Sequence, residues 1–365
     1  MAKVVSCQKR LREAMVAVAE LRKELESTRP NFFDIVFRAN AHRRHFGVAN
    51  FDEFFEQLPP MQYHNSTTLS PRDQIMCFLW WLYSGLSINM CSDLFDIPAT
   101  SLSRVFHRLL DELSNKWVPQ QIRFPTIEEW IDETPETVRG HPSFQNTLLF
   151  FVDGTIFPSH EPSDLTSARL SWNTKHHVNG YSFTILVLPT GRIVYTSNLH
   201  WGSTHDKTVW REEDLTSTLQ SVYSHPATHT SDDVTNSYTL GIGGDKGYRR
   251  LRVPEGWHLF VTQSGEVTGI DDYDMTVDTE VSEMHVYRDI VPDEFFLIYQ
   301  SKRDNEHYAP EVASPRSVVE RVFAKIKKWR SLSNLSAINR MKGMKVQAMV
   351  DVICALCNYN MNRLA

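Results

Sequence analysis

The chain lacks any apolar run long enough to cross a membrane. A spanning helix needs about 18 to 20 mostly apolar residues in a row, and no segment of the 365 residues approaches that length. An apolar signal-peptide block is also missing from the start, where Lys9, Arg10 and Arg12 bring charge instead. These absences argue against a membrane or secreted protein. We expect an intracellular protein with no membrane partner, nuclear if its source is eukaryotic and cytoplasmic otherwise.

Cysteine is scarce, and its use argues against a disulfide scaffold. The five cysteines are odd in number and scattered, which fits a reducing compartment. Cys354 and Cys357 form a lone CxxC within "DVICALCNYN". A structural zinc site built from such pairs needs a second pair. We therefore interpret these two residues as part of the apolar face of a helix.

Two nucleotide-binding motifs are incomplete. In "GIGGDKG" the third glycine of a GxGxxG motif is replaced by Lys246, and that lysine is followed by Gly247 rather than the Ser or Thr of a P-loop. Internal repeats and low-complexity tracts are missing too. With 41% hydrophobic and 22% charged residues, the chain has the composition of an ordinary protein long enough for two domains.

Charge is distributed unevenly along the chain. The formal net charge is −6, yet Arg316 to Lys345 holds nine Lys or Arg and one acid, Glu320, for a local charge of +8. Glu266 to Glu311 holds thirteen acids and three bases, for a local charge of −10. Each block is compatible with a solvated face, but the basic block also suits a polyanionic partner. No role for the acidic stretch 266–311 follows from its composition.

The pattern of apolar residues changes along the chain and predicts four parts. Residues 1–29 are predicted to form an amphipathic helix, ended by Pro30, that could serve oligomerisation. Residues 30–125 are predicted to form a helical domain, 126–145 a linker, and 146–360 an α/β domain. The apolar positions of the first helix recur at three- and four-residue steps: Leu11, Met15, Val18, Leu21 and Leu25.

The helical domain resembles a helix-turn-helix unit. "SPRDQIMCFLWWLYSG" begins with a capping Ser70 and a proline, "INMCSDLFDIP" forms a shorter helix, and "ATSLSRVFHRLLDEL" follows a tight break, with Thr100 or Ser101 as its cap. Arg104 and Arg108 share one face of the last helix with His107. They would face DNA if this helix enters a groove. The alternative is a helical bundle with a solvated basic edge.

Beyond the predicted linker, the apolar residues follow the pattern of β-strands. "TLLFFV", "YSFTILVLP" and "GRIVYTSNLH" are predicted strands, with Pro189 to Gly191 as the turn between the last two. A helix over "HDKTVWREEDLTSTLQS" follows, then a strand ending in Asp245, the short strand "WHLFV", and a helix capped by Ser314 that carries Glu320. The order predicts a mixed α/β domain.

Three acids stand out in this domain: Asp153 and Asp245 at predicted strand ends, and Glu320 on the late helix. Singly, each has an ordinary explanation, because Asp-Gly is a turn dipeptide and a helical Glu among bases is usually a solvated ion-pair partner. Together they offer the hard oxygen ligands that divalent cations need for phosphodiester chemistry. A carboxylate after the apolar "TLLFFV" also calls for a cation or strong donors nearby.

These residues carry a resemblance. "VDGT", "GSTHD", "GDKGY" and "PRSVVERVFAKIKKW" resemble, in order, the blocks of the Harbinger (PIF) type DDE superfamily transposases, over roughly residues 146 to 358. The family implies an RNase H-like fold, here a mixed sheet flanked by helices and preceded by the all-α helix-turn-helix-like domain. One position departs from the pattern of related transposases: Ala313 stands where insertion-sequence transposases often have tyrosine.

The resemblance implies a metal-dependent DNA endonuclease. Asp153, Asp245 and Glu320 would be the catalytic, metal-binding triad, holding two Mg²⁺ or Mn²⁺ ions. The implied reactions are hydrolytic strand cleavage at transposon ends and transfer of the resulting 3′-hydroxyl to target DNA, without a covalent protein intermediate. Asp206 occupies the position of a further family aspartate, although its place at a helix start favours an N-cap. The partners implied are double-stranded DNA, a separate Myb-like DNA-binding protein, and further copies of the chain.

The basic residues around Glu320 suit DNA contact. Arg316, Glu320, Phe323 and Lys327 fall on one helix face, so Arg316 and Lys327 could meet phosphates beside the metal. Lys325, Lys328 and Arg330 could follow the DNA backbone, and Lys175, on a loop between strands, is a further candidate.

Two other functions stay open at this point. A domesticated, non-catalytic DNA-binding or regulatory protein derived from a transposase would keep the scaffold without cleavage. A metal phosphoesterase acting on small substrates, using His176, His177, His205 and Asp206, has poor ligand spacing.

Overall fold

The fold is described from a computed structural model. It describes residues 46–65, 69–139, 146–223, 238–245, 248, 251–261, 317–332 and 343–361. The predicted N-terminal helix (1–29), the helix cap at Ser314, Arg316 and the acidic stretch 266–311 lie outside these residues. Within the described part, none of the helices combines the length and the apolar character that crossing a membrane requires.

The first part of the described chain is helical, as predicted. Ser70 caps the second helix through a reciprocal capping box with Asp73, and Gly85 ends it in the left-handed conformation, as Ser-Pro and Gly at these positions lead one to expect. The helices are α1 (Phe51–Glu56), α2 (Pro71–Ser84), α3 (Ile88–Phe95), α4 (Ala99–Lys116) and α5 (Val118–Gln121).

Helix α4 is long and amphipathic, and its apolar side is buried. Its N-cap is Pro98, without a side-chain hydrogen bond, so the predicted cap at Thr100 or Ser101 is wrong. Arg104 and Arg108 are exposed on the opposite side. The tight break between α3 and α4 is present, with Asp96 in the left-handed conformation. A solvated basic edge of a bundle and a DNA-facing helix both fit these observations.

The segment predicted as a linker (126–145) contains two helices, α6 (Ile127–Glu133) and α7 (Glu136–Arg139). Thr126 and Glu129 form a capping box at the start of α6. Trp130 is fully buried and stacks on Phe150 of the sheet with ring centroids 3.8 Å apart. The described part of this segment therefore packs as a layer of the fold, because its central tryptophan has a place in the core.

A mixed sheet forms the centre of the second part. Its main path runs β2-β3-β1-β6-β7, and β4 and β5 both pair with β3. The pairs of β1 with β6 and of β6 with β7 are parallel, and those involving β3 are antiparallel. The strands are β1 (Thr147–Pro158), β2 (Trp172–Asn173), β3 (Val178–Val187), β4 (Ile193–Thr196), β5 (His200–Trp201), β6 (Thr239–Gly244) and β7 (His258–Val261).

Strand β1 continues through the Asp153–Gly154 pair. Asp153 lies opposite Ile185 and Gly154 opposite Thr184, and pairing with β3 persists to Pro158. The prediction that the strand ends at the aspartate, and the alternative that Asp-Gly closes a turn, are both wrong. The cross-strand hydrogen bonds with β3 override the turn preference of the dipeptide.

Helices flank the sheet, and the segment predicted as one helix after β5 forms two. The segment after β5 breaks at Asp214, which adopts the left-handed conformation. The elements are α8 (Leu165–Ser171), α9 (Asp206–Glu212), α10 (Leu215–Val222), α11 (Ser317–Ile326), a 3-10 helix (Arg330–Leu332) and α12 (Gly343–Met361).

The two faces of the sheet bury different cores. On one face, Phe150 and Val152 pack with Trp130, Trp210 and Leu219 of the helices α6, α9 and α10. On the other face, apolar residues of β1 and β3 join α11, α12 and the helices α2 to α4 in one continuous cluster. The helical part and the sheet therefore share a core. Cys354 and Cys357 are buried in it on α12, as expected for packing residues.

Candidate active site

Asp153, within β1, and Asp245, directly after β6, lie at the same end of the parallel pairing between these two strands. The last paired positions of β1 and β6 are Phe151 and Gly243, and each aspartate comes two residues later. Strand β6 ends at Gly244, directly before Asp245. Neighbouring strands lie about 4.8 Å apart and directly paired residues share a face. The two aspartates therefore stand at matching positions, each two residues past the last β1–β6 pair.

Asp206 joins them from the start of α9. A Cβ placed on Gly154 would stand 2.4 Å from Oδ1 of Asp206, so the missing side chain of Gly154 leaves the space that this carboxylate occupies. Burial raises the pKa of Asp206, and the nearby Asp245 carboxylate raises it further, while Lys175 and His205 lower it. The N-cap of α9 is His205, and Asp206 is the first helical residue. The favoured interpretation of Asp206 as the cap is therefore wrong.

A buried tyrosine lies near the three aspartates. Tyr248 is fully buried, and its pKa is raised by burial and then by the charges of Asp206, Asp153 and Asp245. The Thr184 hydroxyl lowers the pKa of Tyr248. Among the described residues, neither hydroxyl finds a hydrogen-bond partner of ordinary geometry. Two unsatisfied buried hydroxyls beside three carboxylates mark this place as polar and incomplete on its own.

Glu320 lies on α11, which packs over the face of the sheet that carries Asp153. The buried side of α11 is apolar: Val318, Val319, Val322, Phe323 and Ile326. Glu320 itself is exposed. Lys327 follows it by seven residues, about two helical turns, and its backbone N–H still donates to Phe323 at 2.9 Å. Glu320 and Lys327 thus lie on one side of the helix.

Lys327 connects this helix to the acids. Partial burial of its ammonium group lowers its pKa, and the Asp153 carboxylate opposes that shift. This interaction places the end of α11 near the carboxyl end of "TLLFFV". The structure thus brings Asp153, Asp206 and Asp245 together and places α11, with Glu320, on the same face as Asp153.

A hydrogen-bond network holds the helix that carries Asp206. His200 contacts Glu213 at 2.7 Å and Glu212 at 3.0 Å through its two ring nitrogens. The Tyr195 hydroxyl donates to Glu213 at 2.6 Å. Burial acts to raise the pKa of Glu213, but donors from Tyr195, His200 and Asn198 outweigh it and leave the pKa lowered. This network ties the end of α9 to β4 and β5.

The predicted DNA-contacting residues fall in three places. Lys325 is partly exposed on α11, and Lys327, Lys328 and Arg330 are exposed at and after its end. Lys175 is exposed on the β2–β3 loop, near enough to Asp206 to affect its pKa. The third place is the exposed face of α4, distant in sequence from the acids.

The donors at the site are carboxylate and hydroxyl oxygens, the types that Mg²⁺ and Mn²⁺ prefer. As the side chains stand, no three His, Cys, Asp or Glu of the described residues form a set that could hold one ion. Two observations nevertheless fit a cation at this place: the like charges of Asp206 and Asp245, and the space that Gly154 leaves for a carboxylate. A positive charge would relieve that repulsion.

Sequence reasoning missed Tyr248 and Thr184. Tyr248 lies in the "GDKGY" block, three residues after Asp245, so its proximity to that acid could have been inferred. Thr184 gave no local indication, because only the pairing of β3 with β1 places it opposite Gly154.

A family model described as DDE superfamily endonuclease matches residues 152–287, a little over a third of the chain. The matched region contains Asp153, Asp206 and Asp245 and ends before Glu320. No curated protein and no solved structure matches the chain significantly. The match supports a DDE transposase-type domain, and the mixed sheet flanked by helices fits the RNase H-like fold expected for one.

Proposed function

We propose that the chain is a DDE endonuclease of the transposase type, which cuts DNA strands with Asp153, Asp245 and Glu320 as its catalytic residues. The proposed reaction is substitution at phosphorus: a water oxygen bonds to phosphorus, the bond to the 3′-oxygen breaks, and a DNA 3′-hydroxyl is released. Strand transfer then uses that 3′-hydroxyl in place of water on the target strand. The finer assignment to the Harbinger group, with a Myb-like partner and a nuclear location, rests on the four sequence blocks.

One observation carries the proposal. Asp153, Asp206 and Asp245, from separate parts of the matched region, all lie close enough to the buried Tyr248 phenol to raise its pKa. Clustering like charges in a partly buried place is unfavourable for stability unless a cation or strong donors offset it. Such an arrangement is typical of a functional site rather than of a structural ion-pair network.

Asp153, Asp245 and Glu320 would hold two divalent ions, with Asp206 as a further candidate. Bound ions of this kind lower the pKa of water and stabilise the charge on the attacking and leaving oxygens. Gly154 keeps the Asp206 carboxylate against the strand. Thr184 and Tyr248 offer hydroxyls near the acids.

In this proposal Lys327 contacts the DNA as well as interacting with the acids. Its ammonium group lies near Asp153, where a scissile phosphate would have to be placed. The exposed Lys328 and Arg330, which follow it, extend this positive charge along the surface. Contacts of this kind position DNA without reading its sequence, and they make affinity fall steeply with salt.

The test is nicking of supercoiled plasmid by the purified full chain in Mg²⁺ or Mn²⁺. Asp153→Asn, Asp245→Asn and Glu320→Gln remove charge at nearly constant shape, so each should reduce the nicking rate by about 100-fold or more. Asp132→Asn and Glu136→Gln are the matched controls, because both side chains are exposed on the distant helices α6 and α7.

Two results would contradict the proposal. Equal nicking by the parent and the triad variants would exclude these residues. A parent chain that binds duplex DNA in a salt-sensitive manner but does not nick it with either metal would favour the non-catalytic, transposase-derived DNA-binding protein. Turnover of nucleotides without salt-sensitive duplex binding would instead indicate a phosphoesterase.

A further inference from the structure

Exposed apolar side chains concentrate beside the acidic site. Of the seven large hydrophobic residues exposed in the described part of the chain, four lie in α8, β2 and β5. Trp172 and Trp201 are 40% and 39% exposed, unusual for the side chain with the most apolar surface to bury. The other two are Leu165 and Leu170. A cluster of this kind marks an interaction surface more often than single exposed residues do.

The backbone under the two tryptophans is closely packed. A Cβ on Gly202 would stand 2.3 Å from the carbonyl oxygen of Ser171 and 2.8 Å from that of Gly180. The Gly202 N–H donates to Gly180 at 3.0 Å, and the Asn173 side chain donates to the Gly202 carbonyl at 2.7 Å. Ser171 precedes Trp172, and Gly202 follows Trp201. The two tryptophans are therefore held next to each other on a rigid junction.

The rings lie on the face of the sheet that carries Asp153. Trp201 pairs with Tyr181 across the strands, and their rings stack with centroids 6.0 Å apart. Trp172 pairs with Asn179, two residues from Tyr181, and Asp153 pairs with Ile185, four residues from it. Paired residues and residues two apart share a face. Both tryptophans lie two strands from Asp153, Trp201 four residues and Trp172 six residues along β3, which puts them about 16 Å and about 22 Å from Asp153.

Positive charge lies beside this surface. Arg169 is exposed on α8, Lys175 on the β2–β3 loop and Lys207 on α9, while the acids Glu161 and Asp164 are exposed just before α8. Lys175 connects the surface to the acids, since its ammonium lowers the pKa of Asp206. Trp201 is joined to α9 by a short turn, in which the Thr204 N–H donates to the Trp201 carbonyl at 2.8 Å. A polyanion with flat apolar groups complements these features, and a polypeptide of ordinary composition does not.

We propose that Trp172 and Trp201, backed by Tyr181, form an aromatic platform that stacks on unpaired bases of the DNA strand next to the cleavage site. The proposal rests on the proposed nuclease function for the identity of its ligand. Stacking would hold the strand end in place for the acids without reading its sequence.

The test measures binding of the full chain to two fluorescent probes, a 12-nucleotide oligothymidine and a blunt 20-base-pair duplex. Trp201→Ala should weaken oligothymidine binding by about 5-fold or more, the loss that one stacked base implies, and change duplex binding by less than about 2-fold. Trp172→Ala should act in the same direction. Trp201→Phe should retain most of the affinity, because it keeps a stacking ring.

Salt dependence separates stacking from charge. For Trp201→Ala the slope of log Kd against log salt should equal that of the parent, whereas Lys175→Ala should lower it by about one. Val222→Ala is the matched control for loss of exposed apolar area, because Val222 is 47% exposed on α10, outside α8, β2 and β5; it should bind like the parent. Circular dichroism and thermal melting check that each variant is folded.

The outcomes distinguish this proposal from the nuclease itself. Unchanged oligothymidine binding by folded Trp172→Ala and Trp201→Ala overturns the platform, even if the parent nicks plasmid. Equal losses for both probes also overturn it, because they indicate general DNA contact. Ring-dependent binding of oligothymidine supports the platform, even where the parent fails to nick.

Discussion

At the scale of single residues, Gly154 has the clearest structural role. Its hydrogen in place of a side chain lets the Asp206 carboxylate approach β1, since an added Cβ would stand 2.4 Å from Oδ1. We expect Gly154→Ala to displace that carboxylate from Asp245 while β1 keeps its pairing. Displacement of a group at a reaction site by about 1 Å can cost about 100-fold in rate. Plasmid nicking by the purified variant measures this loss.

The matched control for this variant is Ser159→Ala, one residue beyond the end of β1 and away from the acids. It should nick at the parent rate. A Gly154→Ala chain that is folded and equally active would show that the position of Asp206 does not matter to the reaction.

Asp351 offers a prediction about pH. Burial raises its pKa to about 6, against hydrogen bonds from Gln347 and Thr196 that lower it. Because the folded pKa lies above the unfolded one, the carboxylate destabilises the fold at pH above about 6, and this cost disappears as the pH falls below about 4. Both hydrogen bonds are donated to Oδ1, so Asp351→Asn keeps an acceptor for them.

We expect Asp351→Asn to be more stable than the parent at pH 7.5, by up to about 3 kcal/mol for a shift of about two pKa units. The difference should shrink steadily as the pH is lowered from 6 to 4. Denaturant unfolding of both chains across this range measures it. A stability difference that is independent of pH would contradict the assigned shift.

At the scale of elements, Trp130 is the fully buried residue of the helix α6. It stacks on Phe150 and donates from Nε1 to the Leu149 carbonyl at 3.4 Å. Trp130→Ala should cost about 3 to 5 kcal/mol in the free energy of unfolding, as for other buried aromatic residues. Leu165→Ala, on an exposed position of α8, should change stability by less than about 0.5 kcal/mol. A small loss for Trp130→Ala would support the predicted linker.

Strands and helices with strong local patterns could be predicted from the sequence. The apolar runs of β1 and β3, the turn at Gly191 and the Ser70 capping box all lie where their residue types indicate. The sequence analysis missed features that depend on contacts between distant elements. Strand β1 continues through Asp-Gly because β3 lies beside it, and α6 forms a layer because Trp130 stacks on Phe150. Neither feature can be predicted from the local sequence pattern.

The same limit applies to the site. Asp153 and Asp245 could be singled out because each directly follows an apolar run predicted as a strand, although β1 continues past Asp153. Asp206 could not be separated from a capping residue, since an aspartate at a helix start suits both roles. Only its contact with Gly154, a residue of another element, identifies it as part of the acidic cluster.

At the scale of the whole molecule, the acids and the basic residues occupy neighbouring places on one framework. Helix α11 contributes Glu320 and, at its end, Lys327, while α12 packs both against the sheet and against α4. The core is continuous across the helical part and the sheet. Any movement of the helical part therefore changes the support of α11, so the two parts are expected to act as one unit on DNA.

The central claim is that Asp153, Asp245 and Glu320 share divalent ions. A crystal of the full chain soaked in Mn²⁺ tests it most directly, through anomalous scattering. The account predicts manganese peaks between these three side chains, with carboxylate oxygens about 2.0 to 2.2 Å from the metal, and loss of the peaks in Asp153→Asn. Manganese bound elsewhere, with these three side chains too far apart to share an ion, would contradict it.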